Sequence, residues 1–117
     1  MIGILCKSAF LASGISSATG ERTVVMSGTG AGNGSIPAKK WLASCLTSNK
    51  VSLVFYEPRY LVDPSYFRQI SPGTKFILIS GPGDETDAHR ALACGASAVL
   101  NKPFTMSDLR GVLDLVQ

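Results

Sequence analysis

Lys102, followed by Pro103 and Phe104, comes directly after the strand-like run Ser97-Ala98-Val99 and its continuation Leu100-Asn101. A lysine there puts a cation at the carboxyl end of a buried strand, the edge where open α/β sheets keep their chemistry. Glu57 closes Val51–Tyr56, the strongest strand signal in the chain, and Lys7 closes the apolar start Ile2–Cys6. A carboxylate and two ammonium groups at strand ends make an electrostatic centre, in which opposite charges within a few ångströms stabilise one another.

Other residue types invite chemistry but lack the required spacing. Gly28-Thr29-Gly30-Ala31-Gly32-Asn33-Gly34 follows a strand and precedes a helix, yet it forms neither G-x-G-x-x-G nor a loop closed by Gly-Lys-Ser/Thr. It reads as a connection. His89 is the only histidine and no Ser or Cys is arranged to partner it, so a surface histidine is expected rather than a hydrolytic triad. Cys6, Cys45 and Cys94 are odd in number, far apart and set in apolar stretches, which suggests neither a disulfide framework nor a zinc site. Tyr56, Arg59, Tyr60, Tyr66 and Arg68 form a loose aromatic and basic group. Guanidinium and ring faces of that kind can stack on a nucleotide base, so Arg59 and Tyr60 are candidate ligand-binding residues.

The elements that must position these groups alternate in type. Ile2–Cys6, Arg22–Met26 and Val51–Tyr56 read as strands. Between them lie a poorly formed helix at Ala9–Ala18 and a better one whose apolar positions Ala38, Trp41, Leu42, Cys45 and Leu46 recur at helical spacing after Pro37. Asp63-Pro64 marks the start of a short helix running to Ile70. Thr105-Met106-Ser107-Asp108 is a variant capping box, after which Leu109, Val112, Leu113 and Val116 share one helical face. Strands alternating with helices, some fully apolar, imply a parallel sheet covered on both faces.

A chain of 117 residues with 45% hydrophobic content is expected to form one domain, 1–117, with an ordinary core. The formal charge of +3 is small and its lysines and arginines are scattered, which gives no support to nucleic-acid binding. Apolar runs stop far short of a membrane span, and Met1–Leu5 lacks the flank and length of a signal peptide, so a reduced, cytoplasmic setting without membrane contact is expected.

From Lys75 to Gln117 the sequence resembles the second half of a receiver domain, the CheY-like phosphate-accepting module of two-component signalling. Lys75-Phe76-Ile77-Leu78-Ile79-Ser80-Gly81 looks like the fourth strand ending in its hydroxyl residue, Gly83–Gly95 like the fourth helix, Ala96–Leu100 like the fifth strand, and Lys102-Pro103-Phe104 like the family's lysine-proline dipeptide. The resemblance implies a flavodoxin-like sheet of five parallel strands in the order 2-1-3-4-5, with helices on both faces.

It also implies a phosphoacceptor site, and there the chain departs from the family. Cys6-Lys7-Ser8 stands where an acid pair would hold magnesium. An ammonium cannot ligate a metal, and a thiol is too soft for magnesium, so neither metal nor cofactor is expected. Ser52-Leu53-Val54-Phe55-Tyr56-Glu57 resembles the run into the acceptor, but with glutamate in place of aspartate. Ser80 and Lys102 match, whereas Val99 sits where an aromatic switch residue is common. Glu57, Lys7, Ser80 and Lys102 are thus expected to form a degenerate site, with both lysines flanking Glu57 on adjacent central strands and compensating its charge without a ligand.

The implied function is that of a pseudo-receiver. Such a domain is no enzyme and regulates a sensor or hybrid histidine kinase, or a response regulator, through protein contacts, as an internal or excised module or as a lone adaptor. Arg90, Val99 and Arg110 mark the partner surface implied by the family. Two alternatives stand beside it: a sensor of a small anionic molecule such as a cyclic dinucleotide, at Arg59, Tyr60 or the Arg90 and Arg110 helices, and an atypical active phosphoacceptor using a relocated aspartate such as Asp63.

Overall fold

The computed structural model describes residues 1–6, 9–20, 22–26, 38–48, 51–60 and 62–116. Lys7, Pro37 and the loop Gly28–Gly34 lie outside the described residues, as do the side chains of 9–12, 24–26, 38, 39, 48 and 59.

Strands β1 (Ile2–Leu5), β2 (Thr23–Met26), β3 (Leu53–Tyr56), β4 (Lys75–Ser80) and β5 (Ala98–Asn101) alternate with helices α1 (Ala9–Thr19), α2 (Ala38–Ser48), α3 (Pro64–Ile70), α4 (Glu85–Ala93) and α5 (Met106–Val116). All pairings are parallel and the order is β2-β1-β3-β4-β5. Each expected element is present, with ends differing by a residue or two. A 3-10 turn, Pro58–Tyr60, was not foreseen.

Helices on both faces explain why β3 and β4 are apolar without interruption. Leu53 and Phe55, with Ile77 and Ile79, face a core closed by Ile15 of α1 and by Leu109 and Leu113 of α5. Val54 and Tyr56, with Phe76 and Leu78, face the other core, under α2, α3 and α4. Successive strand side chains point to opposite faces, so two-sided covering removes the polar alternation of a half-exposed sheet. Phe67 anchors α3 by stacking on Phe76 at 6.2 Å between ring centroids, and Tyr56 meets Phe76 edge-on at 6.4 Å.

Local signals fix the helix ends. Asp63 Oδ1 accepts from the Ser65 amide at 3.0 Å and from its hydroxyl at 2.7 Å, with Pro64 in the first turn of α3. At α5 the Thr105 amide donates to Asp108 Oδ2 at 2.9 Å, and the Asp108 amide to Thr105 Oγ1 at 3.1 Å, which is the reciprocal capping box. α4 ends at Gly95, whose φ of +103° disfavours any residue with a Cβ, and the Ala96 amide folds back onto the Ala91 carbonyl at 2.9 Å.

Candidate functional site

Glu57 is the first residue beyond β3. Its amide donates to the Leu5 carbonyl at 3.0 Å, prolonging the β1–β3 ladder, and its carbonyl accepts from the Tyr60 amide at 3.1 Å, which starts the 3-10 turn. Pinned on both sides, Glu57 is 8% exposed. Lys102 is the first residue beyond β5, with its amide bonded to the Ser80 carbonyl at 2.6 Å and a cis peptide bond to Pro103. The Lys102 Nζ donates to Glu57 Oε2 at 2.6 Å. Ser80, the last residue of β4, is buried between the two strand ends.

The pair is not made by adjacent strands, contrary to the expectation from sequence. β4 lies between β3 and β5, so the Lys102 side chain crosses the end of β4 to reach Glu57. Gly81 lies beneath the crossing. A Cβ at that position would lie 3.3 Å from Lys102 Cε and 3.4 Å from Asp84 Oδ2. Asp84 holds the turn beneath the lysine by accepting from the Gly81 amide at 2.8 Å and returning its own amide to the Gly81 carbonyl at 3.0 Å. The reading of the sequence missed Gly81 and Asp84, although Gly81-Pro82-Gly83-Asp84 is a strong turn signature.

Other candidates fall elsewhere. Tyr60 is 3% exposed and belongs to the core under α2–α4, so its ring is unavailable for stacking on a nucleotide. Its apolar bulk, at the end of the 3-10 turn, packs that segment into this core. Asp63 is committed to capping α3, and its place beyond the 3-10 turn separates it from the strand-end site. Arg90 is exposed and lines a cavity together with residues of β3, α3 and β4, whereas Val99 is half-buried beside a groove on the β5–α5 side and Arg110 is exposed on α5. His89 is exposed, as expected. Trp41 packs partly buried against the core. Lys7 and the Arg59 side chain lie outside the described residues.

The donors here do not suit magnesium. Cys6, at the end of β1, is buried among the apolar side chains under α1 and α5, and Glu57 Oε2 is bonded to an ammonium. Among the described residues, no three His, Cys, Asp or Glu side chains gather as a metal-holding cluster. No helix of the described residues is long and apolar enough to cross a membrane.

No family model matches the sequence, and no curated protein matches it either. Solved structures do. The N-terminal signal receiver domain of a two-component response regulator from Bacteroides fragilis aligns with 100% of this chain and 98% of its own, at a TM-score of 0.69 and 13% identity. The chain has the receiver fold. NtrX from Brucella abortus gives a TM-score of 0.73 at 19% identity over 98% of the chain. The chain spans a quarter of NtrX, 25% of its length. A protein described as the pilus assembly protein CpaE, from Burkholderia thailandensis, gives 0.67 at 14% identity over 98% of the chain and 95% of its own. In this receiver fold Glu57, Ser80 and Lys102 share one edge of the sheet, formed by the carboxyl ends of β3, β4 and β5.

Proposed function

We propose that this domain is a pseudo-receiver, which takes no phosphoryl group and serves two-component signalling through protein contacts. The observation that carries this reading is the Glu57–Lys102 ion pair. The carboxylate in the acceptor's place is one methylene longer than aspartate and already holds an ammonium at 2.6 Å. Its charge therefore stands where a phosphoryl group would add charge, and the chemistry that would use magnesium lacks ligands at Cys6-Lys7.

With that chemistry gone, the fold is kept for its surfaces. The β5–α5 side offers a groove lined by Val99, Asp108 and Leu115, which is 73% exposed, with Arg110 exposed on the same helix, as a mixed apolar and charged contact for a partner protein or another domain of the same signalling protein. The proposed setting is cytoplasmic, the unit is the span 1–117, and the domain catalyses no reaction.

The test is to add magnesium with acetyl phosphate or beryllofluoride to labelled protein. The amide signals of Glu57, Ser80 and Lys102 are expected to stay in place. Saturable shifts at those residues would establish an active phosphoacceptor instead.

A further inference from the structure

The bond to Glu57 uses one of the three donors on the Lys102 ammonium, and the other two have no hydrogen-bond acceptor among the described residues. A second carboxylate stands close by. A Cβ built at Gly81 would lie 3.8 Å from Lys102 Nζ and 3.4 Å from Asp84 Oδ2, so the gap between ammonium and carboxylate cannot exceed the sum of those two distances.

Asp84 takes the N-cap position of α4, yet its side chain makes no cap bond to that helix. It turns back instead, and Oδ2 accepts from the Gly81 amide at 2.8 Å. Its other oxygen, Oδ1, has no hydrogen-bond donor among the described residues. The half-buried Asp84 is followed by the exposed Glu85 and by Asp87 in the first turn, so the start of α4 gathers negative charge. Lys102 is 35% exposed, and its flexible four-carbon stem lets the ammonium swing while the backbone stays still.

We infer that Lys102 is a two-position switch, which bonds Glu57 in this structure and exchanges to Asp84 when another cationic group engages Glu57. The two carboxylates compete for one ammonium. A cation on Asp84 holds the lysine on Glu57, and a cation on Glu57 sends it to Asp84, so the strand-end site and the first turn of α4 influence one another reciprocally. The exchange alters the charge at the start of α4 by one unit, beside the exposed Glu85, where charge governs encounter with a basic partner surface. It involves only these three side chains and is independent of whether the domain takes a phosphoryl group.

Glu57→Gln removes the charge while keeping the shape, and stands in for an engaged Glu57. In that variant the two ε-methylene protons of Lys102 are expected to stay distinct in the NMR spectrum, because the side chain is held at Asp84. Adding Asp84→Asn, which keeps an oxygen for the Gly81 amide, is expected to merge them while circular dichroism stays native. Urea unfolding gives a second readout. In the Glu57→Gln background, Lys102→Met and Asp84→Asn are expected to be non-additive by about 2- to 5-fold in the unfolding equilibrium constant, the worth of a part-exposed ion pair. With Glu57 native they are expected to be additive to within about 2-fold. Merged Lys102 signals in Glu57→Gln alone, signals still distinct with both acids neutralised, or additivity in the Glu57→Gln background would overturn the exchange. Equal coupling with native Glu57 would show one lysine serving both acids at once, and would overturn the two-position switch.

Discussion

Lys102 reaches across the end of β4 to bond Glu57 at 2.6 Å, tying together the ends of two strands that are not neighbours in the sheet. Its side chain is 35% exposed and that of Glu57 10% exposed, so the pair is largely but not fully removed from solvent. Breaking it leaves a buried carboxylate with one counter-charge fewer. Lys102→Ala is therefore expected to destabilise the domain by about 1–2 kcal/mol, between the values for exposed and fully buried pairs. Combining it with Glu57→Gln in a double-mutant cycle, followed by urea unfolding, is expected to give coupling of at least about 0.5 kcal/mol, since the residues touch. Additive effects would contradict the contact.

On the pseudo-receiver reading, shortening the acid is not expected to supply phosphate chemistry. Glu57→Asp supplies the aspartate of a phosphoacceptor but leaves Cys6-Lys7 where metal ligands would be needed. The variant is expected to remain unmodified after incubation with magnesium and acetyl phosphate, as read by intact mass. Appearance of a phosphorylated species would show that the Cys6-Lys7 end is no obstacle.

The α5 capping box gives a prediction about stability alone. Thr105→Ala removes the acceptor of the Asp108 amide at 3.1 Å, and Asp108→Ala removes the acceptor of the Thr105 amide at 2.9 Å. Each is expected to cost about 1 kcal/mol. The double variant is expected to cost less than the sum of the two, because the bonds are reciprocal. Denaturant midpoints at constant slope check this.

Tyr56 sets an alkaline limit. Below the ordinary phenol value of 10.0 both the folded and the unfolded chain hold this proton, so the group adds no pH dependence. Above it the unfolded chain loses the proton while the folded chain keeps it, so stability falls as pH rises, by at most about 1.4 kcal/mol per pH unit. Tyr56→Phe is expected to flatten that part of the profile. At neutral pH it is expected to be neutral or stabilising by up to about 1 kcal/mol, since the deleted hydroxyl is unpartnered. Identical alkaline slopes in thermal melts of the two proteins would refute the assignment.

By itself the sequence determined the alternation of elements, the two-sided covering of the sheet and the helix caps. These rest on local physics. The continuous apolar runs of β3 and β4 report burial on both faces, and the Asp63 and Thr105 caps act within three residues along the chain. The charge and length of Glu57 and the place of Lys102 were equally legible, because each directly follows an apolar run. Only the tertiary structure decided which groups meet. That Lys102 crosses β4 depends on the strand order. That Tyr60 is core rather than a stacking platform depends on a 3-10 turn that no periodicity announces. That the Tyr56 hydroxyl is buried without a hydrogen-bond partner among the described residues is likewise a matter of packing across residues far apart in the chain.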